Sequence, residues 1–198
     1  KNVSLSLGTK SVLFSGRIGK GIQQSLIELA EAVSLLRAEG LDIMLQIQSP
    51  RSAPGIINKI ISYKCVTVNP PVEYEKIPGI YSRSDILVIA NDFQPEGIKF
   101  LKYSMPNKVP EYMISGTPIL VYASSETALY KFFNTNKSGH CVSNQSTKEI
   151  ADAIKLLLQD SDYRETLSSN AVAYAITNFN SKNVRQRFKN LLLKSAQI

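Results

Sequence analysis

The sequence is poor in histidine and cysteine. His140 is the only histidine among 198 residues, so a histidine-rich metal site or a serine–histidine–aspartate triad has little to be built from. Beside Cys141 in a short apolar run, it reads as a packed strand-edge residue. The two cysteines, Cys65 and Cys141, lie far apart and form no metal-binding pattern. Both sit in apolar, strand-like surroundings and read as buried free thiols of a reducing compartment, not as a disulfide. No apolar run reaches the roughly 20 residues of a membrane span, and the first residues carry no signal-peptide pattern. The chain opens on Lys1 and is expected to be a fragment or a processed form. It lacks internal repeats, low-complexity tracts and a linker. It also lacks the G-x4-G-K-[ST] and G-x-G-x-x-G spacings of the common phosphate-binding loops.

What is present suits a soluble globular chain with one core, since 43% of the residues are hydrophobic and 20% charged. The net charge is +7. Its cations are scattered among acids until the tail, where Lys182, Arg185, Arg187, Lys189 and Lys194 cluster. That balance suits a phosphate-bearing ligand, with some attraction to an anionic membrane surface. Nucleic-acid binding would rest on charge alone and is set aside.

After a weakly specified lead-in over residues 1–10, apolar runs at 11–15, 41–47, 65–68, 86–90, 119–122 and 140–142 read as strands. Between them lie helical patterns. The first has apolar residues at Ile22, Leu26, Leu29, Val33 and Leu36 and ends at Gly40. Further helices are expected over 56–63, 73–83 and 124–133. A capping box at Ser146/Glu149 starts another, which runs to about Gln159, and Ser161 and Ser181 are read as the caps of the last two. The segment after residue 90 reads as a polar loop. The alternation predicts an α/β, doubly wound, Rossmann-like fold: a mostly parallel sheet of about six strands with helices on both faces.

The chain is organised around residues 103–118, which join the fourth and fifth strands. Loops that open helices at the strand ends of such sheets bind ligands. Pro106 and Pro110 suit a helix start, where first-turn N–H groups lack partners and favour an anion. Lys108 adds a mobile cation one turn in. Glu111 offers two acceptor oxygens for the two hydroxyls of a ribose. Gly116 suits the residue after the helix, and Pro118 stops it. A second glycine-rich turn, Gly16-Arg-Ile-Gly-Lys-Gly21, follows the first strand. There the backbone can approach a phosphate while Arg17 and Lys20 neutralise it.

Ser104-Met-Pro-Asn-Lys108, followed by Pro110-Glu-Tyr-Met-Ile-Ser-Gly-Thr-Pro118, resembles the donor-nucleotide motif of retaining GT-B glycosyltransferases, the large family 4 group. The turn at 16–21 resembles the same family's G-R-x-x-x-K-G segment, one residue shorter. The resemblance covers about residues 11–180 and implies the C-terminal, nucleotide-sugar-binding half of the GT-B fold. An N-terminal acceptor domain would belong to a longer protein, and residues 181–198 would form a helix crossing to it. Glu111, with Gly16, Ser104 and Asn107, would hold the nucleotide-sugar donor. Arg17, Lys20 and Lys108 would stabilise the diphosphate leaving group without a metal or other cofactor, because no carboxylate pair is evident at a strand end beside the cationic loops. The acceptor, a sugar or lipid-linked molecule, would be held by the other domain. The expected location is the cytoplasm, with the inner face of the membrane as a contact.

The chain departs from the family's pattern at Tyr103, which stands eight residues before Glu111, where retaining members usually carry a second Glu. Glu96 lies earlier in the same segment. Tyr81-Ser-Arg-Ser-Asp85 resembles a family signature whose Asp is read here as structural, capping backbone where a helix turns into a strand. Asp160-Ser-Asp162 has the D-x-D spacing of metal-dependent glycosyltransferases, but it falls between two helices, where caps are expected. Two other readings stay open: a GT-B-fold nucleotide-sugar epimerase, which would need more acid–base side chains, and a non-catalytic nucleotide-binding module.

Overall fold

The computed structural model describes residues 8–50 and 54–195. Most of the lead-in, three residues of the loop at 50–54 and the last three residues therefore lie outside the described part. Six strands form one all-parallel sheet: β1 Lys10–Ser15, β2 Ile43–Gln48, β3 Val66–Asn69, β4 Ile86–Ala90, β5 Ile119–Tyr122 and β6 His140–Val142. Their spatial order is β3-β2-β1-β4-β5-β6. The order reverses between β1 and β4, so the loops leaving those two strands diverge to opposite faces and leave a crevice between them.

Alternation along the strands builds two cores. Val12, Phe14, Val88 and Tyr122 face one way, against α1 (Gln23–Ala38) and α7 (Thr147–Gln159). Leu13, Leu87, Ile89 and Val121 face the other, on the side of α3 (Ile77–Arg83), α5 (Val109–Ile114), α6 (Ala128–Asn136) and α8 (Ser161–Asn178). With both faces covered, every residue of β4 is buried, which is why that strand reads as an unbroken apolar run. The remaining helices are α2 (Pro54–Ile61), α4 (Pro95–Leu101) and α9 (Ser181–Ser195).

Several expectations are corrected. The segment read as a polar loop contains α4. Pro95 stands at its first turn, where a missing N–H is harmless. Gly97 permits close packing, since a side-chain carbon there would lie 3.1 Å from Asp92 Cβ. The helix expected over 73–83 divides into a 3-10 turn, Tyr74–Lys76, and α3. Thr127 caps α6, so that helix starts after residue 124. Asp160, not Ser161, caps α8 through the Tyr163 N–H at 2.9 Å, which accounts for the D-x-D spacing. Asn180 Oδ1, not Ser181, accepts the Lys182 N–H at the start of α9. Half of the capping box forms: the Glu149 N–H donates to Ser146 Oγ, while the Glu149 carboxylate takes the Asn144 amide. Asp85 is structural, but its partner is β1. It accepts the Ser11 N–H at 2.8 Å and pairs with Lys10. Cys65 is buried and Cys141 half-buried, and both are free. Burial pushes both thiols up, Cys141 to about 12. His140 lies on β6 with Nδ1 3.0 Å from the Tyr163 hydroxyl. Among the described residues, no helix is long and apolar enough to cross a membrane.

Candidate functional site

The end of β1 is the anchor of the site. Each polar group of Ser15 is taken by a residue from another element. Its N–H donates to Tyr112 Oη at 2.9 Å. Its Oγ accepts from the Tyr81 hydroxyl at 3.2 Å. Its carbonyl accepts from Lys108 Nζ. Tyr81 and Tyr112 pack edge to face, with ring centroids 4.8 Å apart. Tyr112 is fully buried, and burial raises its pKa, so it stays a neutral phenol. The chain thereby locks α3 and α5 onto the last residue of the central strand.

Lys108 sits just before α5, at its N-cap position, not one turn in. Its ammonium turns back over the Phe14 ring, 4.4 Å from the centroid, and lies 5.9 Å from that of Tyr112. It is therefore a held cation, not a mobile one. Burial lowers its pKa to about 8, opposed by the Glu111 charge. Gly16 is what allows this placement. Its φ is +146°, and a side-chain carbon there would fall on the Lys108 ammonium. Gly16 and Lys108, 92 residues apart in sequence, are thus in direct contact.

Glu111 lies in the first turn of α5. Its Oε1 accepts from the Tyr74 hydroxyl at 3.2 Å. Together with Ile77, Gly79, Tyr81 and Ile114 these two residues line a cavity of about 450 Å³. Gly116 follows the helix with φ +73°, as the end of such a helix requires. Ser104 and Asn107 are exposed. The Ser104 N–H is already donated to the Leu101 carbonyl at 2.9 Å, so it is not available to a phosphate. With six residues, α5 also has a small dipole. The positive character of this end comes from Lys108 more than from the helix.

Arg17 and Lys20 are exposed on the turn after β1. Lys20 lines a second cavity of about 620 Å³ with Gly21, Asp92, Glu96, Gly97 and Phe100. The two loops that form it are stitched together. The Asp92 N–H donates to the Gly21 carbonyl at 2.6 Å. Asp92 Oδ1 accepts the Ser25 N–H at 2.8 Å, and Ser25 Oγ donates to the Asn91 carbonyl at 2.8 Å. Asp92 and Glu96 both line this cavity beside Lys20, beyond the end of β4. The Asp92 carboxylate is committed to capping α1. Among the described residues, no group of three or more metal-ligating side chains comes together. Tyr103 is exposed.

The sequence reading also missed Glu28, a buried carboxylate on α1. It accepts from the Tyr122 hydroxyl at 2.6 Å, from Gln145 Nε2 at 2.6 Å and from Gln24 Nε2 at 3.0 Å. Three donors make its burial tolerable. Burial first, then the Glu28 hydrogen bond and charge, raise the pKa of Tyr122. The signal available in the sequence was an acid among the apolar positions of the first helix.

A six-stranded parallel sheet in this order, with its held cation and carboxylate at the loops around the order reversal, defines a Rossmann-like domain of the kind that forms the C-terminal half of GT-B folds. Residues 9–160 match the family model described as glycosyl transferases group 1, and the chain belongs to that family. Over 166 residues, 81% of this chain, it is 27% identical to the alpha-D-kanosaminyltransferase of Streptomyces kanamyceticus, of which it spans 39%. Its fold is similar to the C-terminal domain of a glycosyl transferase group 1 family protein from Francisella tularensis, with a TM-score of 0.67, 20% identity and 88% of each chain covered. It is also similar to Anabaena HepE in complex with UDP-glucose, with a TM-score of 0.74 and 16% identity over 94% of this chain and 49% of that one. The chain thus spans less than half of the curated relative and about half of the Anabaena protein.

Proposed function

We propose that this chain is the nucleotide-sugar donor domain of a retaining glycosyltransferase that works without a metal ion. The observation that carries the proposal is the held ammonium of Lys108 against Ser15 and Gly16, with Glu111 one turn further on, at the strand ends beside the order reversal. Glu111 takes the ribose hydroxyls. Lys108, Arg17 and Lys20 meet the negative charge that grows on the diphosphate as the sugar leaves, which is electrostatic catalysis. Gly16 leaves room for the Lys108 ammonium beside the backbone, so a phosphate at this turn meets that cation. The Ser104 hydroxyl and the Asn107 side chain contact phosphate or sugar. Retention follows from the family resemblance of the 104–118 motif. The free thiols suit the cytoplasm. The basic, exposed helix α9 suits either an acceptor domain of a longer protein or the inner membrane face.

Calorimetric titration with uridine and guanosine diphosphates tests this reading. Micromolar-range binding of at least one is expected, equal with magnesium and with chelator, because three cations already supply the charge. Glu111→Gln is expected to weaken binding about tenfold or more, since a hydrogen bond to a charged group contributes roughly 1.5–3 kcal/mol. Metal-dependent affinity removes the metal-free part of the proposal. An unchanged Glu111→Gln affinity removes the ribose assignment.

The acceptor is assigned to the other half of a longer protein. The isolated 198 residues are therefore expected to bind nucleotide and yet transfer no sugar at a useful rate, because positioning of the second reactant supplies much of the barrier reduction. Incubation with labelled nucleotide sugars and candidate acceptors checks this, and robust transfer by this chain alone would contradict the two-domain reading.

A further inference from the structure

The contact between Tyr74 and Glu111 has a consequence for what the site selects. Tyr74 stands on the 3-10 turn that follows β3, after Pro70 and Pro71. It is 67% exposed, so burial of its ring does not hold it in place. Its hydroxyl nevertheless donates to Glu111 Oε1 at 3.2 Å, at the cavity of about 450 Å³ that both residues line. A carboxylate that accepts from the two adjacent hydroxyls of a ribose uses both of its oxygens. In the ligand-free chain one of those oxygens is already taken by an internal donor.

We propose that Tyr74 is a selectivity residue, whose hydroxyl competes with the second ribose hydroxyl for Glu111 Oε1 and so weakens the site's preference for ribonucleotides over 2′-deoxyribonucleotides. The inference rests on the assignment of Glu111 to the ribose. A carboxylate oxygen can accept two hydrogen bonds, but the Tyr74 hydroxyl meets Oε1 at the cavity that both residues line, so a ribose entering there displaces it and exchanges one hydrogen bond for another. A 2′-deoxyribose brings a single hydroxyl, takes Oε2 and leaves Tyr74 where it is. The exchange is reversible, because an exposed tyrosine can turn to solvent with little loss of packing. Tyr74 remains a neutral donor through the working range, since the Glu111 charge raises its pKa.

The test is calorimetric titration of the wild-type chain and Tyr74→Phe with uridine and guanosine diphosphates and with their 2′-deoxy forms. Phenylalanine keeps the ring and deletes only the competing hydroxyl. Affinity for the ribonucleotide is expected to rise about fivefold, the value of roughly one hydrogen bond no longer given up, while affinity for the deoxy form stays the same. A purely structural role would move both nucleotides together. Equal changes for both forms, no change for either, or a fall for the ribonucleotide would overturn the inference. If the wild-type chain binds none of the four, the nucleotide reading itself fails. If it binds but Glu111→Gln binds equally well, the ribose assignment fails. Both outcomes differ from a failure confined to Tyr74.

Discussion

Lys108→Met is expected to lower nucleoside diphosphate affinity by roughly thirtyfold to a hundredfold. A charged hydrogen bond contributes about 1.5–3 kcal/mol, and this ammonium works at the upper end because protein has replaced much of its water. It faces the Phe14 ring and the Ser15 carbonyl, so a phosphate meets a cation already stripped and aimed. The pH dependence follows from the same burial, which lowers the Lys108 pKa from 10.5 to about 8. In the free protein the charge is lost as pH rises through about 8, so binding weakens there. The effect on folding has the opposite sign. Between about pH 8 and the ordinary value of 10.5 the unfolded chain holds the proton and the folded chain does not, so this group adds stability as pH rises across that window. Titration of wild type and Lys108→Met at pH 7 and pH 9.5 separates this group from the phosphates' own ionisation. A wild-type loss of affinity that the methionine variant lacks is expected. Equal affinities of the two proteins at pH 7 would remove Lys108 from the site.

Gly16→Ala is expected to damage fold and binding together. The backbone there has φ +146°, which side chains disfavour, and the added carbon would land on the Lys108 ammonium. Residues forced into such conformations cost about 1–3 kcal/mol. The displaced lysine then loses the ring contact and the Ser15 carbonyl, so nucleotide affinity falls toward that of Lys108→Met. Gly19 in the same turn is the control, because a carbon added there meets nothing within 4 Å. Gly19→Ala should denature in urea at the wild-type midpoint and bind normally. A Gly16→Ala protein that behaves like Gly19→Ala would show that the contact with Lys108 does not matter.

The motif residues illustrate how far local reading goes. The apolar periods of the six strands and the proline and glycine bracketing α5 are local, and the structure agrees with them. The cap of α1 is not local. Ile22 at its start offers no side-chain acceptor, and the missing acceptor comes from Asp92, 67 residues from Ser25, whose N–H it accepts. A search for serine, threonine or aspartate beside the helix cannot find it. The helix α4 was hidden for a different reason. Its proline and glycine are breakers in the middle of a helix, but here one stands at the first position and the other lets the backbone approach Asp92.

By itself, then, the sequence determined the parallel α/β class and the order of its strands along the chain, and it singled out the residues proposed to carry phosphate and ribose chemistry. These depend on side-chain period, backbone restrictions and residue type, which act over a few positions. Only the tertiary structure decided which of those residues meet. It turned Lys108 from solvent onto Ser15 and Gly16, placed Lys20 in a different cavity from Glu111, and set Tyr74 on the carboxylate. Strand order brings β1 beside β4, and the loops that follow them carry groups nearly a hundred residues apart into contact, where burial and hydrogen bonding assign each its charge and its partner.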